Sequence, residues 1–401
     1  MRTTWTFHTA VSLVFGRDAV RQVGEIASRL GARRVLVVTD KMLVQAGLVE
    51  RVREPLAAAN IDVDLFDKGV PEPPISLAEA CIARARETKP DAVIGLGGGS
   101  NMDLAKITAA VISNGGTVRD YVGDDKIAKP TLPLICIPTT AGTGSEVSGA
   151  SVLTDTEIGN KVGILSNHLR PRVAVVDPLL TVSCPRKVSA DSGIDALTHA
   201  IEAFTAVDNE VFPLPPGERS IYQGKNPMAD LLAERAIRLV GVNLRRVVQD
   251  ANDLEARDAM AFAATSAGMA FSNSGVAVVH ALEYPVGAAT HCSHGAGNGL
   301  LLPFVMRFNL PARLSAFAKI AEWLGEDVTG LSVEQAAERA ITAVERLKRE
   351  IGIPDRLRDI GVREEQLRPF AEKAFGVKRI LRVNPRPVTA DDLEGILRAA
   401  W

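Results

Sequence analysis

"DAVIGLGGGSNMDLAKITAAVIS", residues 91–113, opens as an apolar run, breaks at three consecutive glycines, and resumes with apolar residues at helical spacing. It predicts a buried strand, a tight glycine turn and a helix. The same alternation extends in both directions. Upstream, "RRVLVVTD" (33–40) is a β-branched strand stopped by a polar residue, "GLVERVREPLAAAN" (47–60) has helical spacing and "IDVDLFD" (61–67) alternates like a strand. "SLAEACIARARETK" (76–89) is helical, and downstream "PLICIPTT" (133–140) and "RVAVVDP" (172–178) read as two further strands. Strands and helices alternating at this spacing imply a largely parallel sheet with both faces covered, a Rossmann-like α/β domain.

The character changes after "VDPLLTVSCP" (176–185). Helical Ala- and Leu-rich segments follow, such as "MADLLAERAIRLVGVNLRRVVQ" and "ARDAMAFAATSAGMAF". The expected division is therefore 1–186, an α/β dinucleotide-binding domain, and 187–401, an all-helical domain. A chain of 401 residues exceeds what one growing core organises, which agrees with two domains. The Pro- and Gly-rich insert "DNEVFPLPPGERSIYQGKNP" (208–227) is too long for an ordinary connection.

With 46 Lys and Arg against 48 Asp and Glu, nothing favours nucleic acid or an anionic membrane as partner. The four cysteines, Cys81, Cys136, Cys184 and Cys292, show no framework spacing, as expected for a reducing cytoplasm. The N-terminal stretch lacks a continuous apolar region, so no secretory signal is expected. There is also no apolar run long enough for a membrane span.

The glycine turn lets backbone approach a ligand, and the following helix N-terminus favours an anion such as a diphosphate. Asp40 ends its strand where a carboxylate can accept from an adenosine ribose and repel a 2′-phosphate, a preference for NAD over NADP. "PTTAGTGSE" (138–146) offers hydroxyls and glycines for a loop around ribose, phosphate or carboxamide. Three such features at the carboxyl ends of parallel strands mark the usual ligand crevice of these sheets.

A second constellation lies in the helical half. Of six histidines, three fall within "HALEYPVGAATHCSH" (280–294). In "DSGIDALTHAIEAF" (191–204) Asp195 and His199 stand at i and i+4 on one helix face. Together with His280 and His294 they make available a three-imidazole, one-carboxylate site for Fe, Zn, Mn, Ni or Co. Glu202 and Glu283 are candidates to satisfy the second nitrogens of such imidazoles.

These segments resemble the group III, iron-dependent alcohol dehydrogenases, with a pattern close to the lactaldehyde (1,2-propanediol) reductase branch. The resemblance rests on "VTDKMLVQAGL" (38–48), "GGGSNMDLAK" (97–106), "IPTTAGTGSEV" (137–147), "GIDALTHAIE" (193–202), "GMAFSNSG" (268–275), "HGAGNGLLLPFVMRFN" (294–309) and the terminal "VNPRPVTADDLEGILRAAW". It implies metal ligation by Asp195, His199, His280 and His294. It also implies NAD(H) contacts from Asp40, Gly97, Gly98, Gly99, Ser100, Asp103, Thr139, Thr140, Thr143 and Lys161, and a pocket lined by Ala150 and Phe271. The family fold places the active site in a cleft between an α/β and a helical domain, and members are commonly dimers or larger.

Two departures stand out. Close relatives carry a histidine where this chain has Tyr284, which makes Tyr284, or alternatively His291, the candidate proton relay. The insert is similar to a segment of hydroxyacid–oxoacid transhydrogenases, where Arg219 and Lys225 would be cations for a substrate carboxylate. The expected function is hydride transfer between nicotinamide and an alcohol, aldehyde or hydroxy acid. The alternatives are a transhydrogenase with tightly bound NAD, a dehydroquinate synthase-like enzyme, a metal-free maleylacetate reductase and a non-enzymatic nucleotide sensor or scaffold.

Overall fold

The computed structural model describes residues 2–401. The chain forms two units, one spanning His8–Cys184 and the other comprising Pro185–Trp401 together with the residues before His8. The division falls at Cys184/Pro185 rather than 186/187, and the first residues group with the helical unit rather than the α/β unit.

In the α/β unit, strands β1 (Ser12–Phe15), β2 (Arg34–Val38), β3 (Asp62–Phe66) and β4 (Ala92–Gly97) precede the short β5 (Gly123–Asp124) and then β6 (Leu134–Pro138). A hairpin of β7 (Ala150–Asp155) and β8 (Asn160–Leu165) follows, before β9 (Val173–Val176). Six of these strands form a parallel sheet in the order β1-β9-β6-β4-β2-β3. The helices of this unit are α1 (Val23–Arg29), α2 (Lys41–Gln45), α3 (Leu48–Ala58), α4 (Ile75–Thr88) and α5 (Gly99–Asn114).

Successive strand side chains point to opposite faces, and both faces are dry. Leu36, Val38, Val93 and Cys136 share one core with Ile82 of α4 and Leu104 of α5. Val35, Val37, Ile94 and Ile135 share the other with Val23 of α1 and Val52 of α3. Burial on both faces explains why these strands read as continuous apolar runs. The strand order reverses direction between β2 and β4, the topological switch point where such sheets open a ligand crevice.

The second unit is helical: α6 (Arg186–Thr205), α7 (Pro227–Gln249), α8 (Leu254–Ser274), α9 (Val278–Thr290) and α10 (His294–Asn309) lead to α11 (Leu314–Trp323), α12 (Val333–Ile351), α13 (Leu367–Phe375), α14 (Lys378–Leu381) and α15 (Ala390–Ala400). Helix α6 packs against α7, α8 and α10, and nearly every residue from Ser189 to Thr205 is buried. A helix hydrophobic or small all round belongs at the centre of a bundle. Near the end of the insert, the Asn226 side chain accepts from Ala229 N and caps α7, whose first residue is Pro227. No single helix among the described residues is long and apolar enough to cross a membrane.

Candidate metal centre and nucleotide site

Asp195 and His199 lie one turn apart on α6, His280 lies in the first turn of α9, and His294 is the first residue of α10. One donor atom from each falls within 4.8 Å of the others. His199 Nε2 and His294 Nε2 are 3.9 and 4.0 Å from Asp195 Oδ1. The first three residues are buried, whereas His294 is partly open.

Glycines permit this convergence. A Cβ on Gly295 would stand 2.0 Å from Asp191 O, and one on Gly299 would stand 2.7 Å from Ile194 Cγ1. Bare backbone at both positions lets α10 press against α6 and delivers His294 beside Asp195.

Two buried carboxylates set the imidazole tautomers. Glu202 Oε2 lies 2.6 Å from His280 Nδ1, and its Oε1 accepts from Val279 N at 2.8 Å. Glu283 Oε2 lies 2.6 Å from His294 Nδ1. An ionised carboxylate only accepts, so each Nδ1 carries the proton and each Nε2 keeps its lone pair toward the centre. The ring of His199 stacks on Phe271 at 4.3 Å and 21°, so Phe271 forms one wall beside the imidazole.

Asn298, which sequence reasoning missed, reaches the centre one turn after His294. Its Nδ2 is 2.8 Å from Asp195 Oδ1, 3.2 Å from His280 Nε2 and 3.1 Å from His294 Nε2. Three acceptors thus crowd one amide nitrogen that has two hydrogens. A surplus of buried acceptors around a common point is what a divalent cation satisfies, and imidazole and carboxylate are suitable ligands for one. Burial pushes the Asp195 carboxyl up, whereas the positive charge of His199, His294 and His280 in their protonated forms and the Asn298 amide hold it below the usual carboxylate range. An ionised Asp195 is the form that binds a cation.

The other expected residues are placed as follows. Tyr284 is buried in α9, one turn beyond His280. His291 lies outside the four-residue cluster: it is exposed, has φ 53° and ends α9. In the insert, Lys225 Nζ pairs with Asp230 Oδ2 at 2.5 Å and sits over Phe204 at 5.1 Å, so its charge is held inside the helical unit.

In the α/β unit, the carboxyl ends of β2, β4 and β6 lie side by side, with Val38 opposite Gly95 and Gly97 opposite Pro138. This brings Asp40, Gly97–Gly99 and Thr139–Thr140 to one edge. Gly97 has φ +143°, and Gly98 is the N-cap of α5, so the first N–H groups of a 16-residue helix face outward from the glycine turn. A Cβ on Gly99 would come within 2.9 Å of Thr143 Cγ2, and Gly98 backs onto Thr140. The glycine turn and the threonine loop are therefore fitted to each other.

Several expected cofactor residues also have work within the protein. Asp40 caps α2, with Oδ1 accepting from Leu43 N at 3.0 Å, while Oδ2 accepts from Asn101 Nδ2 at 2.7 Å. Ser100 Oγ accepts from Glu72 N at 3.2 Å, and Lys161 Nζ pairs with Glu72 Oε1 at 2.6 Å. Thr139 N donates to Gly97 O at 3.1 Å and joins the two loops. Asp103 accepts from Ser145 Oγ at 2.8 Å and Val152 N at 2.9 Å, so its carboxylate ties α5 to the threonine loop and β7.

Behind Asp103 is fully buried Lys106, also missed from sequence. Its Nζ donates to Ser145 Oγ at 2.7 Å, Ser148 Oγ at 3.1 Å and Ala150 O at 2.7 Å. Ala150, expected in the pocket, opens β7 and is partly exposed. Signals for Asn298 and Lys106 were present as their positions one turn from a site residue, but neither residue type announces a role without its spatial partners.

Comparison with known proteins shows the family. Residues 10–178 match the model for iron-containing alcohol dehydrogenase, and residues 218–401 match that for the C-terminal part of the Fe-containing alcohol dehydrogenase family. The chain is 41% identical over 389 residues to long-chain-alcohol dehydrogenase 1 of Geobacillus thermodenitrificans, covering 96% of this chain and 94% of the relative. It is 38% identical over 387 residues to NAD-dependent methanol dehydrogenase of Bacillus methanolicus, covering 96% and 97%. The crystal structure of a 1,3-propanediol oxidoreductase superposes with a TM-score of 0.93 at 37% identity, covering 99% of this chain and 100% of that one. The chain belongs to the iron-containing alcohol dehydrogenase family.

Proposed function

We propose that the protein is a metal-dependent, NAD(H)-linked alcohol dehydrogenase that interconverts a primary or secondary alcohol with its aldehyde or ketone. The observation that carries the reading is the convergence of Asp195, His199, His280 and His294, with Glu202 and Glu283 behind two of the imidazoles. Those four side chains would hold a divalent ion such as iron. When bound, the ion supplies Lewis acidity, lowering the pKa of an alcohol and polarising a carbonyl. A bound nicotinamide would supply the hydride chemistry, while the chain supplies position and electrostatics.

The residues divide the remaining work. Glu202 and Glu283 keep the Nε2 atoms of His280 and His294 deprotonated and aimed at the centre. Phe271 supplies an apolar wall beside His199, and Tyr284 is the proposed proton relay. The N–H groups at the start of α5 receive the cofactor diphosphate, Asp40 receives the adenosine ribose, and Thr139, Thr140 and Thr143 line the loop opposite. The enzyme works on small-molecule alcohols and aldehydes, in the cytoplasm, as a homodimer or larger assembly. Lys225, paired to Asp230, is engaged within the protein rather than offered to a substrate carboxylate, which weakens the reading as a hydroxyacid–oxoacid transhydrogenase.

The test is turnover of a panel of alcohols, aldehydes and hydroxy acids with free NAD(H) or NADP(H) after reconstitution with single metals. Iron-restored, chelator-sensitive oxidation with NAD is expected. Undiminished turnover after Asp195→Ala and His199→Ala would refute the assignment.

A further inference from the structure

At the switch point between β2 and β4, one side chain links the two strands. Asn101, in the first turn of α5, is 3% exposed. Its Nδ2 donates to Asp40 Oδ2 at 2.7 Å and lies 3.2 Å from Leu96 O, the carbonyl preceding the glycine turn. Two glycines make room for it: a Cβ on Gly69 would stand 2.0 Å from Asn101 Oδ1, and one on Gly97 would stand 2.3 Å from its Nδ2. Gly69 is itself held at the end of β2, where its N–H donates to Thr39 O at 2.9 Å. The slot is thus a built feature, kept open by bare backbone at Gly69 and Gly97 and filled by the Asn101 side chain.

The consequence falls on Asp40. Leu43 N fixes one carboxylate oxygen at 3.0 Å and Asn101 fixes the other, so the group cannot turn without losing a bond. Asp40 remains partly exposed, and each carboxylate oxygen has acceptor capacity beyond one bond. We propose that Asn101 is a positioning residue for cofactor choice, holding the Asp40 carboxylate where it accepts from a ribose 2′-hydroxyl and repels a 2′-phosphate. This rests on the reading of Asp40 as the ribose acceptor. A freely turning carboxylate would lose affinity for the hydroxyl and could swing away from the phosphate; a clamped one does neither.

Calorimetric titration of NADH and NADPH into the metal-loaded protein tests the idea without relying on turnover. Three variants are compared with wild type: Asn101→Ala, Asn101→Leu, which fills the slot without a donor, and Asp40→Ala. Each Asn101 variant should weaken NADH roughly tenfold, the worth of one hydrogen bond to a charged group. NADPH should be weakened less, so the preference narrows. Equal loss of both cofactors would mean a merely structural role and would overturn the proposal. So would an unchanged preference in a folded Asn101 variant, if Asp40→Ala does narrow it. If Asp40→Ala leaves the preference intact, the ribose reading itself fails and takes the proposal with it.

Discussion

Replacing Glu202 with glutamine tests the metal centre through a residue that never touches the metal. The wild-type carboxylate faces two donors, His280 Nδ1–H at 2.6 Å and Val279 N–H at 2.8 Å. Glutamine has one oxygen and one NH2, so it can accept from only one of them. If its oxygen stays with Val279, the NH2 opposes Nδ1, and relief comes only by moving the imidazole proton to Nε2, the atom that must bind the ion. Loss of such a partner behind a ligating histidine costs about 10–100-fold in metal affinity, or about 1.4–2.7 kcal/mol. The assay is competition for iron or zinc against a chelator of known affinity, with circular dichroism confirming the fold. The Glu202→Gln protein should lose metal at about ten- to a hundredfold lower chelator strength. Unchanged affinity would refute the tautomer argument, because the substitution leaves size and packing alone.

Three further outcomes follow from other parts of the molecule. Gly295→Ala places a Cβ 2.0 Å from Asp191 O, so denaturant unfolding should show a loss of about 1–3 kcal/mol, with weaker metal retention; an unchanged midpoint would contradict the close α6–α10 approach. Burial pushes the thiols of Cys81 and Cys136 up to about 12, so native-state labelling at pH 8 followed by peptide mass spectrometry should find both unmodified until the protein unfolds. The Arg33 and Arg34 backbone N–H groups hold the Asp91 carboxyl below its ordinary value. A depressed folded-state pKa stabilises above the unfolded value of about 3.9 and loses that contribution as pH falls through the folded value. The stability gap between wild type and Asp91→Asn should therefore close below about pH 4, and a gap that persists there would count against it.

The parts of this protein legible in its sequence are those whose signal is local. An apolar run ending in three glycines before a helical pattern identifies β4 and α5, because burial on both faces removes polar residues from the strand and the turn demands bare backbone. Asp195 and His199 are recognisable as a pair because i, i+4 spacing places them on one face of α6. That His280 and His294 join them depends on how three helices pack, and the composition of "HGAGNG" hints at this only once Gly295 and Gly299 are seen against α6.

Residues that act through distant partners stay hidden. Asn101 meets Asp40 from 61 positions away, and Lys106 meets Ser145 across 39. Asp103 was expected at the cofactor because of where it lies in the motif, yet its carboxylate braces Ser145 and Val152. His291 drew notice as one of three clustered histidines, but it ends a helix in a left-handed conformation on the surface. The β7–β8 hairpin and the edge strand β1 were also missed, since strands that are only partly buried do not read as the continuous apolar runs of the central sheet.

The central claim is that Asp195, His199, His280 and His294 together hold one functional divalent ion. Anomalous diffraction at the iron edge from crystals of the iron-loaded protein tests it most directly. One strong peak per chain, bounded by the Asp195 carboxylate and the Nε2 atoms of the three histidines, is the predicted result. A peak elsewhere, or the same peak persisting in the Asp195→Ala protein with His199 also replaced, would contradict it.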